Sequence, residues 1–395
     1  MQLSIIIVSY NVRNFINLCL SSVKDAQQNI DLEVIIIDNN STDESVSFIK
    51  EKYHWVKLIE NKENLGFSKA NNQAIRQAKG EYVLLLNPDT IMEENTLADC
   101  LEFMSQNTNC GALGVKMIGI DGRFQPESKR AFPTPAVSFY KMFGFSKFFP
   151  KSKRFGRYNL SYLPENETNE IEILSGAFMF IRKQALQRVG LFDENYFMYG
   201  EDIDLSYRIL QGGYKNYYFP KTQILHFKGE STKKGEEKYI YTFYNAMKIF
   251  AIKYFNKKKT KFFFVFIKIA INLRILFSLL YLKSKKAFKL QKREKKNQNL
   301  LIISEKKELS EMKKVIISDF EKQNYQHLEL DKIKDLDEFE EAKKQIKKNK
   351  IEKIIISFSI QKKLLLYIIH SLSTESIEFK IYDSLEKKVF SSKNE

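Results

Sequence analysis

Asp89 is the first residue whose type and position point to chemistry. It follows the apolar run Tyr82–Leu86 in GEYVLLLNPDT. Five apolar residues bounded by polar ones are typical of a strand buried on both faces of a parallel sheet, and Pro88 must end it. A carboxylate at the carboxyl end of a central strand lies where α/β sheets bind ligands, and it suits Mg²⁺ or Mn²⁺ holding a diphosphate. The alternative is an ordinary strand followed by an Asn-Pro-Asp turn.

A second group of acids lies in GLFDENYFMYGEDIDLSYR, where Glu201, Asp202 and Asp204 precede a predicted helix. Acids at a helix start can simply complement the helix dipole, and this is the better interpretation for Asp204. Gly176 interrupts the strand pattern Ile171–Ile181, which often marks the close approach of a ligand. His226 follows an apolar run, and such a lone histidine is usually structural.

The elements around these residues predict a doubly wound sheet. Strands are expected at Leu3–Ser9, Leu32–Ile37, Val56–Glu60 and Tyr82–Leu86, each followed by a helix. This alternation requires right-handed crossovers in a mostly parallel sheet. The loops Ser9–Asn11, Asp38–Asp43 and Asn87–Asp89 then fall on one edge. Neither GxGxxG nor a Walker-type loop is present, so another phosphate anchor is needed, such as a metal on Asp89.

Local patterns complete the prediction for this part of the chain. Ser41 or Thr42 is expected to cap the helix that opens at Asp43-Glu44. Ile91–Gln106 is predicted as a helix, Gly111–Ile118 as a strand, and residues 119–170 as a long irregular segment.

Bulk composition limits the class of protein. Three cysteines without a CxxC pair argue against a disulfide framework or a zinc site and fit a reducing cytosol. The net charge is +16, but Lys253–Lys296 holds fifteen Lys/Arg and one acid, Glu294. The basic excess is therefore local and is weak evidence for nucleic acid, which we do not expect as a partner.

Four motifs in order, SIIIVSYN, EVIIIDNNSTD, NLGFSKANNQAI and GEYVLLLNPDT, resemble those of family 2 inverting glycosyltransferases with the GT-A fold. The resemblance implies a nucleotide-sugar donor. It makes Asn87-Pro88-Asp89 the metal-binding element, in a form similar to the rhamnosyltransferase-like subgroup that leaves one carboxylate. The donor side that it implies consists of Ser9, Tyr10, Asn11, Asp38, Asn64, Gly66, Asn71, Asn87 and Asp89.

The same resemblance assigns the second group of residues. Asp202, with Glu201 as the alternative, matches a general base that takes the proton from the acceptor hydroxyl. Gly176 and Ala177 lie on the acceptor side, and His226 completes the metal or diphosphate site. Arg130 is a further candidate for a donor phosphate contact, against the alternative of a solvated basic residue.

Beyond the catalytic region, Lys261–Lys283 is apolar and long enough to span a bilayer. Its polar residues mostly share one helical face, which favours an interfacial helix on an anionic membrane surface over a spanning helix or a buried hairpin. A charged linker and a small α/β unit follow, with strands expected at Leu300–Ser304, Val315–Ser318, Lys353–Phe358 and Glu378–Tyr382. IEKIIISFS and IEFKIYDS resemble the nucleotide-fold-like domain of polyprenyl-phosphate sugar-phosphate transferases.

These observations predict three regions: a GT-A domain at 1–254, a basic membrane-associated segment at 255–298, and a small α/β domain at 299–395 with a regulatory or docking role. We expect an inverting glycosyltransferase that uses a dTDP- or UDP-linked sugar, Mg²⁺ or Mn²⁺, and a glycan or polyprenyl-linked acceptor. Its expected place is the cytoplasmic face of the bacterial inner membrane, peripheral or monotopic, with polysaccharide-assembly proteins as possible partners of the small domain. The alternative is a catalytically inactive GT-A scaffold.

Overall fold

The computed structural model describes residues 1–228, 237–255, 299–316, 325–333 and 335–391. The interfacial helix expected at Lys261–Lys283 and the linker lie outside these residues. In the part of the chain that is described, no helix combines the length and the apolar character needed to cross a membrane.

The amino-terminal sheet has nine strands in the order β3-β2-β1-β4-β8-β6-β9-β5, with β7 paired to β9. The strands are β1 Leu3–Ser9, β2 Leu32–Asp38, β3 Lys57–Glu60, β4 Tyr82–Leu86, β5 Thr90–Met92, β6 Cys110–Ile118, β7 Asn169–Ile171, β8 Phe178–Arg182 and β9 Lys215–His226. Strands β1 to β4 pair in parallel, and β8 is inserted antiparallel between β4 and β6. The predicted mostly parallel α/β sheet is confirmed.

Helices cover both faces of this sheet. They are α1 Arg13–Gln27, α2 Ser45–Lys52, α3 Phe67–Ile75, α4 Thr96–Gln106, α5 Pro135–Met142, α6 Phe145–Phe148, α7 Lys183–Val189, α8 Glu201–Gln211 and α9 Glu237–Phe255. Side chains of β1 alternate: Ile5 and Ile7 pack in the cluster formed with α1, α2 and α4, whereas Ile6 packs with α3 and α8. This alternation follows from the two-residue period of a strand.

A second, five-stranded sheet follows in the order β11-β10-β12-β13-β14. Its elements are β10 Leu300–Ser304, α10 Lys306–Val315, β11 Tyr325–Glu329, α11 Leu336–Lys348, β12 Lys353–Ser357, α12 Lys362–Ser371, β13 Glu378–Asp383 and β14 Lys388–Phe390. All pairs are parallel except β13–β14. The small α/β unit is therefore present as expected.

The two sheets share one buried apolar cluster. It joins Phe15, Ile91 and Phe227 of the first part to residues of the second sheet and its helices. The ring of Phe15 lies 4.8 Å from that of Phe227 and 5.8 Å from that of Phe390. The small domain thus packs directly on α1 and on the strand pair β5–β9.

Several local predictions are wrong. Residues 91–95 are not helical: β5 pairs with β9 in antiparallel register, Thr90 opposite His226, and the helix begins only at Thr96. Val315 is the last residue of α10 and does not start a strand. The helix begins at Lys306, where Glu305 and Glu308 form a capping box. The irregular segment 119–170 contains α5 and α6.

The expected cap of α2 by Ser41 or Thr42 is also absent. Ser41 donates its hydroxyl to Asp38, and the backbone N–H of Thr42 donates to Asn11. The carboxylate of Asp43 instead accepts from the backbone N–H groups of Arg13, at 2.8 Å, and Ser45, at 3.2 Å.

Candidate active site

The first two predicted donor loops meet at one edge of the sheet. Ser9 and Asp38, the last residues of β1 and β2, pair in register. The Asp38 carboxylate accepts from the backbone N–H of Ser41 at 2.8 Å and from its hydroxyl at 2.6 Å, which fixes the turn after β2. The buried hydroxyl of Ser9 has no hydrogen-bond partner among the described residues. A buried polar group in this state is uncommon and marks a place where a ligand could bind.

Asn11 joins these loops to each other. Its backbone N–H donates to Ser41 Oγ at 2.9 Å, and its Oδ1 accepts from the N–H of Thr42 at 2.7 Å. Asn11 has a positive φ of 53°, which asparagine tolerates better than most residues. Tyr10, between Ser9 and Asn11, is half-buried.

Gly66 connects the donor side to the segment that precedes α8. Its φ is +83°, and a Cβ at this position would lie 2.5 Å from the carbonyl oxygen of Phe197. Only glycine fits, because both the conformation and the close approach exclude a side chain. Asn64 Oδ1 accepts from the Gly66 N–H at 2.9 Å, and the Phe67 N–H donates to the Phe197 carbonyl at 2.7 Å. Asn71 is buried and donates to the Phe67 carbonyl.

Asp89 and His226 lie together beside the paired strands β5 and β9: Asp89 immediately precedes β5, and His226 is the last residue of β9. Both are buried, and His226 Nε2 is 3.5 Å from Asp89 Oδ1. The Phe227 N–H donates to the Asp89 carbonyl at 3.0 Å, which extends the β5–β9 pairing past the two side chains. The predicted metal pair is therefore brought together by strand register.

Gln125, which the sequence did not single out, fixes the tautomer of His226. Its Nε2 donates to the His226 backbone carbonyl at 2.7 Å, and that carbonyl can only accept. Gln125 Oε1, 3.0 Å from His226 Nδ1, must then accept the Nδ1 proton. In the neutral ring Nε2 then carries the lone pair, and an imidazole nitrogen 3.5 Å from a carboxylate oxygen is a donor set that suits a divalent cation.

Two protein donors do not complete a metal site by themselves. Within the described residues, no group of three or more His, Cys, Asp and Glu side chains is placed to hold a metal ion. The remaining ligands would have to come from diphosphate oxygens and water, as is usual for Mg²⁺.

Asn87 links this edge to the second group of acids. Its backbone N–H donates to the Ala177 carbonyl at 3.0 Å, and the next residue back, Gly176, donates its N–H to Asp202 Oδ2 at 3.3 Å. A Cβ on Gly176 would lie 3.6 Å from the Asp202 Cβ. The strand break at Gly176 and Ala177 thus lies between the end of β4 and the start of α8.

Arg130 lies on Asp202. Its Nη2 is 2.5 Å from Asp202 Oδ2, in a nearly buried ion pair. Burial is the largest single influence and lowers the pKa of Arg130, but the charge and hydrogen bond of Asp202, together with Tyr158 and Glu127, outweigh it and the net shift is upward. Tyr158 is next to the pair, and burial raises its pKa. The expected phosphate contact of Arg130 remains a prediction, and the structure places this side chain beside the expected base.

Glu201 is buried beside Asp202 at the first position of α8. Burial, followed by the charge of Asp202, raises the pKa of Glu201 to about 8, so it is protonated at neutral pH. Its Oε2 has no hydrogen-bond partner within the described chain. Tyr199 and Gly200 precede it with φ of 70° and 84°. Such strain at a bulky residue is typical of functional segments.

Asp204 has a structural role. Its carboxylate accepts from Arg208 at 2.8 Å and from the Tyr254 hydroxyl at 2.6 Å, and it forms an ion pair with Lys253. It therefore joins α9 to α8.

Comparison with known proteins shows that the chain is similar to glycosyltransferases. The model of glycosyl transferase family 2 matches residues 4–190. The chain is 28% identical over 259 residues to the N-acetylglucosaminyl-diphospho-decaprenol L-rhamnosyltransferase of Mycobacterium tuberculosis, covering 63% of this chain and 83% of the relative. It is 38% identical over 142 residues to the poly(ribitol-phosphate) beta-glucosyltransferase of Bacillus spizizenii, covering 35% and 22%. A solved mannosyltransferase of Pyrobaculum calidifontis, in complex with GDP-Man and Mn²⁺, aligns with a TM-score of 0.45 at 18% identity, covering 74% of this chain and 76% of that one.

Proposed function

The chain carries a family 2 glycosyltransferase domain and is a glycosyltransferase, and we propose that it moves a sugar from a dTDP- or UDP-linked donor to a glycan or lipid-linked acceptor in bacterial cell-surface glycan synthesis. The activities for which the Mycobacterium and Bacillus relatives are named support this class of acceptor. The buried, unpartnered Ser9 hydroxyl and the linked loops at Asp38 and Asn11 support a nucleotide at this edge.

In this proposal Asp89 and His226 hold a divalent cation, Mg²⁺ or Mn²⁺. When bound, the cation supplies positive charge to the diphosphate that leaves with the nucleotide. Gln125 keeps the His226 Nε2 lone pair directed at the site by accepting the Nδ1 proton. The buried position of Asp89 excludes bulk water, which strengthens its attraction to a cation.

The observation that carries the mechanism is the position of Asp202. It lies beside Gly176 and is linked through Ala177 to Asn87, next to the metal pair. In an inverting transfer a base takes the acceptor proton as the hydroxyl attacks the anomeric carbon opposite the nucleotide. Asp202 contacts the Gly176 N–H and Arg130, whereas burial and the charge of Asp202 raise the pKa of Glu201, so we prefer Asp202 for this role. Arg130 keeps the Asp202 carboxylate oriented.

Kinetics of Asp202→Asn test this assignment in the full chain, after a thermal-shift screen of nucleotide-sugars with Mn²⁺ or Mg²⁺ has identified a donor. We expect kcat to fall about 10²–10⁴-fold, the usual contribution of a general base, while the donor-induced thermal shift remains. Asp31→Asn, at a residue whose side chain is 65% exposed, is the matched control. Wild-type turnover by Asp202→Asn would refute the mechanism.

The cellular place of the enzyme is a further part of the proposal. We expect it on the cytoplasmic face of the inner membrane, where nucleotide-sugars are made and lipid-linked acceptors are exposed. Cell fractionation that recovers the full-length protein with inner-membrane vesicles, accessible to protease only from the cytoplasmic side, is the expected result.

A further inference from the structure

The segment 135–155, here called the aromatic hairpin, exposes four phenylalanine side chains. Its helices α5 and α6 leave Phe143 54% exposed, Phe145 37%, Phe148 79% and Phe149 54%. They fall within seven consecutive residues. Clusters of exposed large apolar side chains on a soluble domain usually mark an interaction site.

The charge around these rings is of one sign. Residues 139–157 contain six Lys/Arg and no Asp or Glu. The cations are Lys141, Lys147, Lys151, Lys153 and Arg154, together with Arg157, which forms an ion pair with Glu172. Phenylalanine rings surrounded by cations are the combination by which peripheral proteins enter an anionic lipid surface.

Specific contacts hold the hairpin together. Thr134 caps α5 by accepting from the Val137 N–H, and Pro135 occupies the first turn. The loop after α6 is closed by the Ser161 hydroxyl, which donates to the Pro150 carbonyl at 2.6 Å. Phe155 packs on Phe145 and Phe149 with ring centroids 5.7 and 5.5 Å apart. The rings of Phe145 and Phe149 are therefore packed against Phe155 while they remain exposed to solvent.

The root of the hairpin reaches the catalytic residues. The Ala131 N–H donates to the Tyr158 carbonyl at 3.0 Å, so the two ends of the segment are joined beside Arg130. Phe132 packs against Phe250 of α9 at 5.2 Å and against Phe255, the last residue of α9, at 6.3 Å. The root of the hairpin thus lies beside Arg130, the ion-pair partner of Asp202.

We propose that the aromatic hairpin docks the protein on an anionic lipid bilayer, with Phe143, Phe148 and Phe149 at the boundary of the acyl chains and the lysines at the phosphate headgroups. This docking deepens the proposed function, because a lipid-linked acceptor would then meet Asp202 at the membrane surface. The docking itself requires no catalysis.

A hydrophilic polyanion is the competing occupant. It would pair with the cations, but it would leave the phenylalanine rings in water. A polyanion therefore explains the charge of this surface and not its exposed rings. A neutral glycan would not need this cluster of positive charges. The apolar interior of a bilayer covers the rings and its headgroups pair with the cations, which is why the membrane is favoured.

Vesicle sedimentation of the full-length protein tests the surface. On vesicles of phosphatidylglycerol and phosphatidylcholine, Phe148→Ser with Phe149→Ser should weaken binding about tenfold for each ring, and Lys147→Ala with Lys151→Ala about fivefold for each lysine. Leu385→Ser is the matched control, because Leu385 is also 79% exposed but lies in the small domain. Equal binding by the Phe variant and this control overturns the proposal.

A tryptophan probe shows whether the hairpin itself enters the bilayer. The chain has one tryptophan, so Trp55→Phe gives a silent background for Phe148→Trp or Leu385→Trp. We expect brominated acyl chains to quench Phe148→Trp fluorescence and to leave Leu385→Trp unchanged. Absence of quenching at Phe148→Trp in sedimented protein overturns the proposal, as does binding to soluble polyphosphate that vesicles cannot displace. Neither result depends on sugar transfer, so a failure here is distinct from a failure of the proposed reaction.

Discussion

Replacing Glu201 by glutamine separates the two candidate bases. Because the pKa of Glu201 is raised to about 8, first by burial and then by the charge of Asp202, the folded protein holds a neutral carboxyl group at pH 7. Glutamine has nearly the same shape and is also neutral. Glu201→Gln should therefore leave kcat at pH 7 within a few-fold of wild type, whereas a base at Glu201 would make the loss about 10²-fold or more.

The same substitution has a calculable effect on stability. Below pH 4.5 the carboxyl group is protonated in both the folded and the unfolded chain. Between pH 4.5 and about 8 only the unfolded chain ionises, so the free energy of unfolding of the wild type falls as pH rises. A rise of the pKa from 4.5 to about 8, at about 1.4 kcal/mol per pH unit, corresponds to about 5 kcal/mol.

Thermal denaturation across pH measures this effect. At about 2 °C for each kcal/mol, Glu201→Gln should melt with the wild type near pH 4.5 and up to about 10 °C above it at pH 8. Glu51→Gln, whose side chain is 72% exposed, should show no such trend. A constant difference between Glu201→Gln and wild type over this range would refute the argument that the folded state holds the proton.

Three further substitutions test other parts of the site. His226→Gln should raise the Mn²⁺ concentration for half-maximal activity about tenfold or more, measured by metal titration at saturating donor. Arg130→Leu leaves Asp202 without its cation and should cost roughly 3–5 kcal/mol of unfolding free energy; adding Asp202→Asn should restore part of it in thermal melts. Gly122→Ala places a Cβ 2.1 Å from a carbonyl oxygen of α12 at a φ of +73°, so limited proteolysis should separate the small domain more readily than in wild type.

Much of the fold could be predicted from local patterns. Leu3–Ser9, Tyr82–Leu86 and Leu300–Ser304 are strands with the predicted bounds, because a continuous apolar run between polar residues has one favourable arrangement in a parallel sheet. The short run Ile91-Met92 is compatible with both helical and strand periods. Its pairing with β9, more than 130 residues later, decides the matter.

The side-chain partners of the site could not be predicted in the same way. Asp89 and His226 were recognised by type and motif, but Gln125 has no local signal, because its role depends on its distance from the His226 ring and carbonyl. Arg130 was recognised as a candidate, yet its charge alone does not choose between a phosphate and a carboxylate. The contact between Arg130 and Asp202 is a tertiary contact, and it becomes visible only when the fold brings the two residues together.

The small domain packs directly behind Asp89 and His226, the two predicted metal ligands. Asp89 precedes β5 and His226 ends β9, and the next apolar residues, Ile91 and Phe227, lie in the cluster shared with the second sheet. The side chain of Glu94 accepts from the first backbone N–H groups of α12, those of Lys362 and Lys363. Removing the small domain would expose this apolar surface directly behind the two predicted ligands. A catalytic domain ending at residue 254 is therefore not expected to keep Asp89 and His226 in register on its own.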